Sequence, residues 1–127
     1  MDKINKVQEL QFELIKIATF NEFDGHKVVE DLKRNKHLWD GVIMDRFDPI
    51  KLGDINLIKL RDIKYNCWNV DTLYILTDNE RVNELESLVG EWNADSIDVI
   101  SGMQAQDLMG YYDKEDKDTV ILKVWWD

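Results

Sequence analysis

The residue types that carry chemistry are present in this chain, but they are scattered. Asp45, Asp48 and Asp54 fall in one short acidic window with Arg46. Carboxylates hold Mg²⁺ or Ca²⁺ through oxygen, yet the alternating acids, central glycine and distal glutamate of a calcium loop are missing. A solvated turn around Pro49 accounts for them better. His26 and His37 are the two histidines. Their spacing matches no common zinc motif, and neither sits beside Cys67 in sequence. Surface or helix-capping roles are expected, with His37 near a helix end that favours a cation. Cys67 has Asn66 and Trp68 as neighbours and no basic residue closer than Lys64. A nucleophilic thiolate needs a base or a helix N-terminus to lower its pKa, so a buried or half-buried thiol is the better expectation.

Thr77-Asp78-Asn79 and Ser101-Gly102 each follow a predicted strand and open a predicted helix. Both belong at the same edge of the sheet, where α/β proteins bind ligands. Helix N-termini favour anions, but Asp78 already puts a negative charge there and no glycine-rich phosphate loop exists. Thr77-x-x-Glu80 and Ser101-x-x-Gln104 have the spacing of capping boxes, which explains them more simply. A small enzyme or ligand-binding domain would use these strand ends near Asp78 and Ser101, with Asp45 or Asp48 as acid/base or metal ligand. No specific catalytic or cofactor signature appears. The reading therefore leans away from an enzyme and expects no cofactor and no metal.

Five tryptophans are many for 127 residues. Trp92 and Trp126 fit core faces. Trp125 shares the other face of its strand with Ile121 and Lys123, and Trp39 sits in a break after a helix. An exposed tryptophan in an acidic surround is a common anchor for a protein partner. Trp125 and Trp39 are thus candidate partner-binding residues, with Glu115, Asp116 and Asp118 of a charged loop as steering groups. The competing reading is that helices cover both faces of the sheet and bury Trp125.

These residues must be held by elements that the hydrophobic pattern defines. Ile4, Val7, Leu10, Leu14, Ile15 and Ala18 recur at three- and four-residue spacing and predict a helix with that face inward. Asp24 is placed to cap a second helix, with Val28, Val29 and Leu32 inward. Val42–Met44 predicts a short strand ended by Asp48-Pro49, and Leu52-Gly53-Asp54 a turn. Residues 55–65 are rich in β-branched and aromatic residues and are assigned to a bulged strand. Val70–Thr77 suits a central strand buried on both faces. A helix follows with Val82, Leu85, Leu88, Val89 and Trp92 on one face. Ile97–Ile100 is a short strand, then a helix with Ala105, Leu108, Met109 and Tyr112 inward. Thr119–Trp126 is the last strand, with Val120, Leu122, Val124 and Trp126 on one face. Helix-linked strands are expected parallel. The fold class is then α+β: one domain over residues 1–127, a mixed sheet of about five strands, two N-terminal helices and a C-terminal β-α-β-α-β unit.

Size and charge bound the function. A chain of this length folds without metal or disulfide, and one cysteine excludes an intramolecular disulfide, which fits the cytoplasm. The N-terminus opens no signal-peptide core, and no apolar run reaches the roughly 20 residues that span a bilayer. Net charge is −10. Residues 1–38 hold seven acids and seven bases, whereas residues 91–127 hold nine acids and three bases. Such a surface repels phosphate backbones, so nucleic acid is not expected as a direct partner. It attracts a basic protein and speeds encounter with it. Solubility alone is the plainer use of the same charge.

The stretch from Thr72 to Asp127 resembles the C-terminal part of a bacterial domain family of unknown function. The resemblance rests on a strand followed by a helix, on the aromatic turn Trp92-Asn93-Ala94-Asp95, and on the run Trp125-Trp126-Asp127 with which members end. Asn93 and Ala94 stand where the family has cysteine and proline. The resemblance implies a bacterial origin and a similar fold, and no site. The sequence thus leads to an acidic bacterial binding module for a basic protein partner, of the immunity-protein or inhibitor kind.

Overall fold

A computed structural model describes residues 3–45, 60–68, 70–110 and 118–127. Helix α1 (Lys6–Ile17) opens with Asn5 as its cap, whose side chain accepts from the Gln8 N–H. Its inward face differs from the expected stripe. Phe12 and Ile15 are fully buried and Ala18 is buried, but Val7 and Leu10 point to solvent. The helix is turned by two glutamines. Gln8 donates through Nε2 to the Val42 carbonyl and accepts through Oε1 from the Val42 N–H, both at 2.8 Å. Gln11 accepts from the Met44 N–H at 3.1 Å. These bonds occupy edge groups of strand β3 (Gly41–Asp45) that would otherwise be open to another chain.

Short strands β1 (Thr19–Phe20) and β2 (Phe23–Asp24) pair antiparallel around Asn21, which takes the left-handed conformation. Helix α2 (Gly25–Arg34) follows, capped as expected by the Asp24 side chain, with Val28, Val29 and Leu32 buried. Gly25 is needed where α2 crosses α1: a Cβ there would lie 2.1 Å from the Ile15 carbonyl oxygen. A 3₁₀ turn (Lys36–Leu38) leads into β3.

Helix α3 (Leu60–Lys64) replaces part of the expected bulged strand. Its burial does not alternate as a strand's would: Leu60 and Ile63 are exposed and Asp62 is buried. Leu, Arg and Lys are good helix formers, and the turn closes with the Cys67 N–H on the Asp62 carbonyl and Asn66 left-handed. Residues 46–59, which carry Asp48, Pro49, Asp54 and the Leu52–Asp54 turn, lie outside the described residues.

Strand β4 (Thr72–Asp78), helix α4 (Val82–Val89), strand β5 (Ser96–Ser101), helix α5 (Gly102–Met109) and strand β6 (Thr119–Trp125) complete the chain. The fold is α+β, one small domain, but among the described residues the main sheet is antiparallel with four strands rather than mixed with about five. Its order is β3-β4-β6-β5, and every neighbouring pair runs antiparallel. Strands β4 and β5 do run the same way, as a helical crossover requires, but β6 lies between them. Helix α4 carries the chain from one end of the sheet to the other. The α5 connection instead returns β6 to the end where β5 finished, so β5 and β6 pair antiparallel.

The predicted inward faces of β4 and β6 are present, while Tyr112 of the predicted α5 face lies outside the described residues. Leu73, Ile75, Leu122, Val124 and Trp126 of the central strands are fully buried with Met44, Phe12, Leu32, Leu85 and Val89 on the side that α1, α2 and α4 cover. On the other face Tyr74, Ile121 and Ala105 are buried, with Leu76, Ile100 and Leu108 packed against them, so α5 covers part of that face. No helix among the described residues is long and apolar enough to cross a membrane.

Candidate functional site

The antiparallel order sends two sets of carboxylates to opposite ends of the sheet. At one end lie Asp40, Asp78 and Asp118. At the other lie Asp45, Asp71, Asp95 and Asp127, one from each strand of the sheet or the residues flanking it. Strand β4 separates the two ends by roughly 20 Å, at 3.4 Å per residue.

The first end is tied together. Arg81 donates through Nη2 to Asp40 at 2.5 Å and through Nε to Asp78 at 2.9 Å, and its Nη1 donates to the His37 carbonyl. Asp78 also accepts from the N–H groups of Glu80 and Arg81 at 3.1 Å. Hydrogen bonding to Arg81 holds the Asp78 carboxyl below its ordinary value, and hydrogen bonding to Asp40 raises Arg81. Asp78, not Thr77, therefore shapes the start of α4, and the expected capping box is absent. Thr77 is buried in β4 and its hydroxyl donates to the Leu38 carbonyl at 2.7 Å. Ser101 does cap α5 by position, but its side chain makes no capping bond. Asp78 and Ser101 share an end of the sheet, with β6 between their strands. Asp45 sits at the far end and His26 is exposed at the start of α2. Asp45 is thus kept away from Asp78 and Ser101, and Asp48, the other carboxylate expected of a small enzyme there, lies outside the described residues.

The second end is built around Trp125. Its row across the sheet is Asp45, Thr72, Trp125 and Ser96. The Trp125 Nε1–H donates to Asp71 Oδ2 at 3.4 Å, while the Thr72 hydroxyl donates to Asp71 Oδ1 at 2.8 Å. The Asp71 N–H donates to the Asp45 carbonyl, the Trp126 N–H to the Asp71 carbonyl, and the Asp95 N–H to the Trp125 carbonyl. The Asp127 N–H donates to Asp95 Oδ2 at 2.6 Å, and Asn21 Nδ2 donates to the Asp127 carbonyl. Two residues further in, Asp98 lies opposite Lys123. Asp71 and Asp95 meet no cation within ion-pair distance among the described residues. Among those residues no three of His, Cys, Asp and Glu are placed to hold one metal ion. The carboxylates form a rim along the strand ends, not a cage.

The candidate partner residues divide accordingly. Trp125 is half-buried. Trp39 is 1% exposed and is a core residue: it meets Phe12 edge-on at 5.6 Å and its Nε1 donates to the Leu32 carbonyl at 2.8 Å. It cannot anchor a partner from there. Trp68, Trp92 and Trp126 are buried too, so Trp125 alone of the five reaches solvent. Asp118 is exposed, but it stands at the Arg81 end and accepts from Asn79 Nδ2, the length of β6 away from Trp125. Glu115 and Asp116 lie outside the described residues. His37 is exposed in its 3₁₀ turn. Cys67 is exposed rather than buried, with Sγ 3.9 Å from Asp62 Oδ1.

Asp71 and Arg81 were not singled out by sequence, and Asp95 entered only as the end of the aromatic turn Trp92-Asn93-Ala94-Asp95. A signal was there: an aspartate next to each strand. It becomes a site only when alternate strands are reversed, which brings aspartates from two strand starts and two strand ends together. No protein-family model, curated protein or solved structure matches the chain.

Proposed function

We propose that this protein is a cytoplasmic bacterial binding module that docks a basic protein partner, as an immunity protein or inhibitor does, through the Trp125 end of its sheet. One observation carries the reading: an indole half open to solvent stands among aspartates from all four strands of the sheet. Such a surface recognises an arginine- or lysine-bearing patch. The cation meets Asp71 and Asp95, and its stem or guanidinium packs on the indole, which is strongest when the contact is desolvated. Net charge of −10 adds long-range attraction to the same partner.

The test is capture from the native host followed by kinetics with the captured protein. Trp125→Ala should raise the dissociation rate by about thirtyfold or more, the effect of losing a hot-spot ring. The association rate should fall as salt rises, because steering is screened over about 8 Å at physiological ionic strength. A partner whose binding is indifferent to both salt and Trp125 would overturn the proposal and leave the charge with no role beyond solubility.

A further inference from the structure

Helix α1 carries two apolar stripes, and the interior uses one of them and only Leu14 of the other. Phe12 and Ile15 face the core. On the outer side Val7, Leu10, Leu14 and Ile17 follow each other at spacings of three, four and three. Val7 is 79% exposed, Leu10 55% and Ile17 63%, while Leu14 is half-buried, packed against the core on one side. This is the a/d spacing of a coiled-coil seam. A row of exposed aliphatic side chains on one helix marks an interaction surface.

Charge indicates the occupant. The chain's −10 falls entirely on residues 39–127, because residues 1–38 are balanced. Helix α1 itself pairs Lys16 with Glu13 at 2.8 Å, and Lys33 of α2 reaches Glu9 at 3.5 Å. A basic partner finds less local attraction here than at the acidic parts of the surface. A second copy of the chain, repelled by the acidic remainder, meets its own kind here where that repulsion is weakest. The seam is also complementary to itself. When one helix is reversed against another, Val7 lies over Ile17 and Leu10 over Leu14, and a two-fold axis repeats both pairings. The reversed arrangement sets the helix dipoles against each other favourably. It also brings Lys6 within about 8 Å along the axis from Glu13 of the other copy, a gap that two long side chains bridge. The two Glu13 residues nearest the axis are each already paired with their own Lys16.

We propose that the protein forms a two-fold dimer by antiparallel packing of α1, with Val7, Leu10, Leu14 and Ile17 as the seam. This surface is separate from the Trp125 end and leaves it free for a partner. The helix is about 18 Å long, so the seam buries less than the roughly 800 Å² per partner of a standard interface, and the dimer is a weak one.

Sedimentation equilibrium from about 5 to about 500 μM spans the affinity expected of so small an interface. Wild-type mass should climb toward twice the monomer. The double variant Leu10→Lys, Ile17→Lys, with both changes at exposed positions, should hold the monomer mass throughout and keep the wild-type melt at low concentration. Oxidative crosslinking in a Cys67→Ser background reads the geometry without added charge and decides the matter even if the lysine variant unfolds. A mixture of Val7→Cys and Ile17→Cys proteins should link as a heterodimer. Val7→Cys alone should not, since its two copies stand about 15 Å apart along the antiparallel pair. A wild type that stays monomeric at the highest concentration, a lysine variant that dimerises undiminished, or Val7→Cys linking as well alone as in the mixture would each overturn the proposal.

Discussion

The two ends of the sheet treat their carboxylates differently. At the Asp78 end a single guanidinium bonds Asp40 and Asp78 and reaches the His37 carbonyl, so charge there fastens α4, the 3₁₀ turn and β4 together. At the Trp125 end Asp71 and Asp95 accept, among the described residues, from neutral donors: the Thr72 hydroxyl, the Trp125 indole and the Asp127 N–H. A carboxylate bonded to a neutral donor keeps its full charge for something else. The same residue type therefore serves structure at one end and is available to a cation at the other.

The sharpest separation should come from two adjacent rings. Trp126 is fully buried, stacks edge-on with Phe23 at 4.6 Å and donates to the Trp92 carbonyl at 3.0 Å. Trp126→Ala should cost about 3–5 kcal/mol, measured by denaturant unfolding. Trp125 points to the opposite face, and Trp125→Ala should cost well under half of that while weakening partner binding. If the two substitutions destabilise equally, Trp125 is a core ring and the contrast between the ends loses its anchor.

Next in size is the clamp. Arg81→Met keeps the aliphatic stem and removes the guanidinium, leaving Asp40 and Asp78 without their cation. Asp40 is largely in water, so the loss should be near 1 kcal/mol, about what a partly exposed charged pair contributes. The pH dependence is the clearer readout. Asp78 is lowered in the folded protein, chiefly by its bond to Arg81. Its stabilisation is complete above the ordinary aspartate value of 3.8 and is lost as pH falls through the lowered folded value. Unfolding measured below pH 4 should show a shallower acid limb in Asp78→Asn than in wild type, and the same shallowing in Arg81→Met. An unchanged limb in both would mean that the clamp is not formed in solution.

Much of this architecture is legible in the sequence, and the illegible parts share a cause. Val120, Leu122, Val124 and Trp126 alternate so cleanly that the last strand and its buried face follow from period two alone. Asp24 announces α2 because capping is local. The neighbour of a strand is not local, and nothing between Asp78 and Thr119 states that β6 inserts between β4 and β5. Helix α1 presents two stripes at helical spacing, and the longer aliphatic one is the more conspicuous. Its orientation is decided by Gln8 and Gln11 reaching a strand more than thirty residues away. The aspartate rim fails for the same reason, since each member is an ordinary strand-flanking residue until the topology gathers them. Trp39 was misjudged because a ring in a break between elements looks exposed, whereas its Nε1 closes the last turn of α2 by bonding Leu32.

The smallest effect on stability is expected where the largest effect on encounter should fall. In Asp71→Asn with Asp95→Asn, the oxygen left at 95 can still accept from the Asp127 N–H, whereas the oxygen left at 71 keeps only one of its two present bonds, from the Thr72 hydroxyl or from the Trp125 indole. The double variant also relieves repulsion among four carboxylates on neighbouring strands. The relief offsets part of the bond lost at 71, so stability should move by well under about 1 kcal/mol, the usual worth of one hydrogen bond. Association with a basic partner should slow severalfold at low salt, and the difference from wild type should shrink as salt rises, because steering acts through the field and the field is screened. Dissociation should quicken as well, because the partner's cation loses its contacts with Asp71 and Asp95, but by less than on loss of Trp125. The same pair of changes made at the other end, Asp40→Asn with Asp78→Asn, should reverse the pattern and lower stability with less effect on the association rate. Equal loss of stability from both pairs would show that the Trp125 rim is structural after all. Equal slowing of association would show that the partner senses net charge and not this end of the sheet.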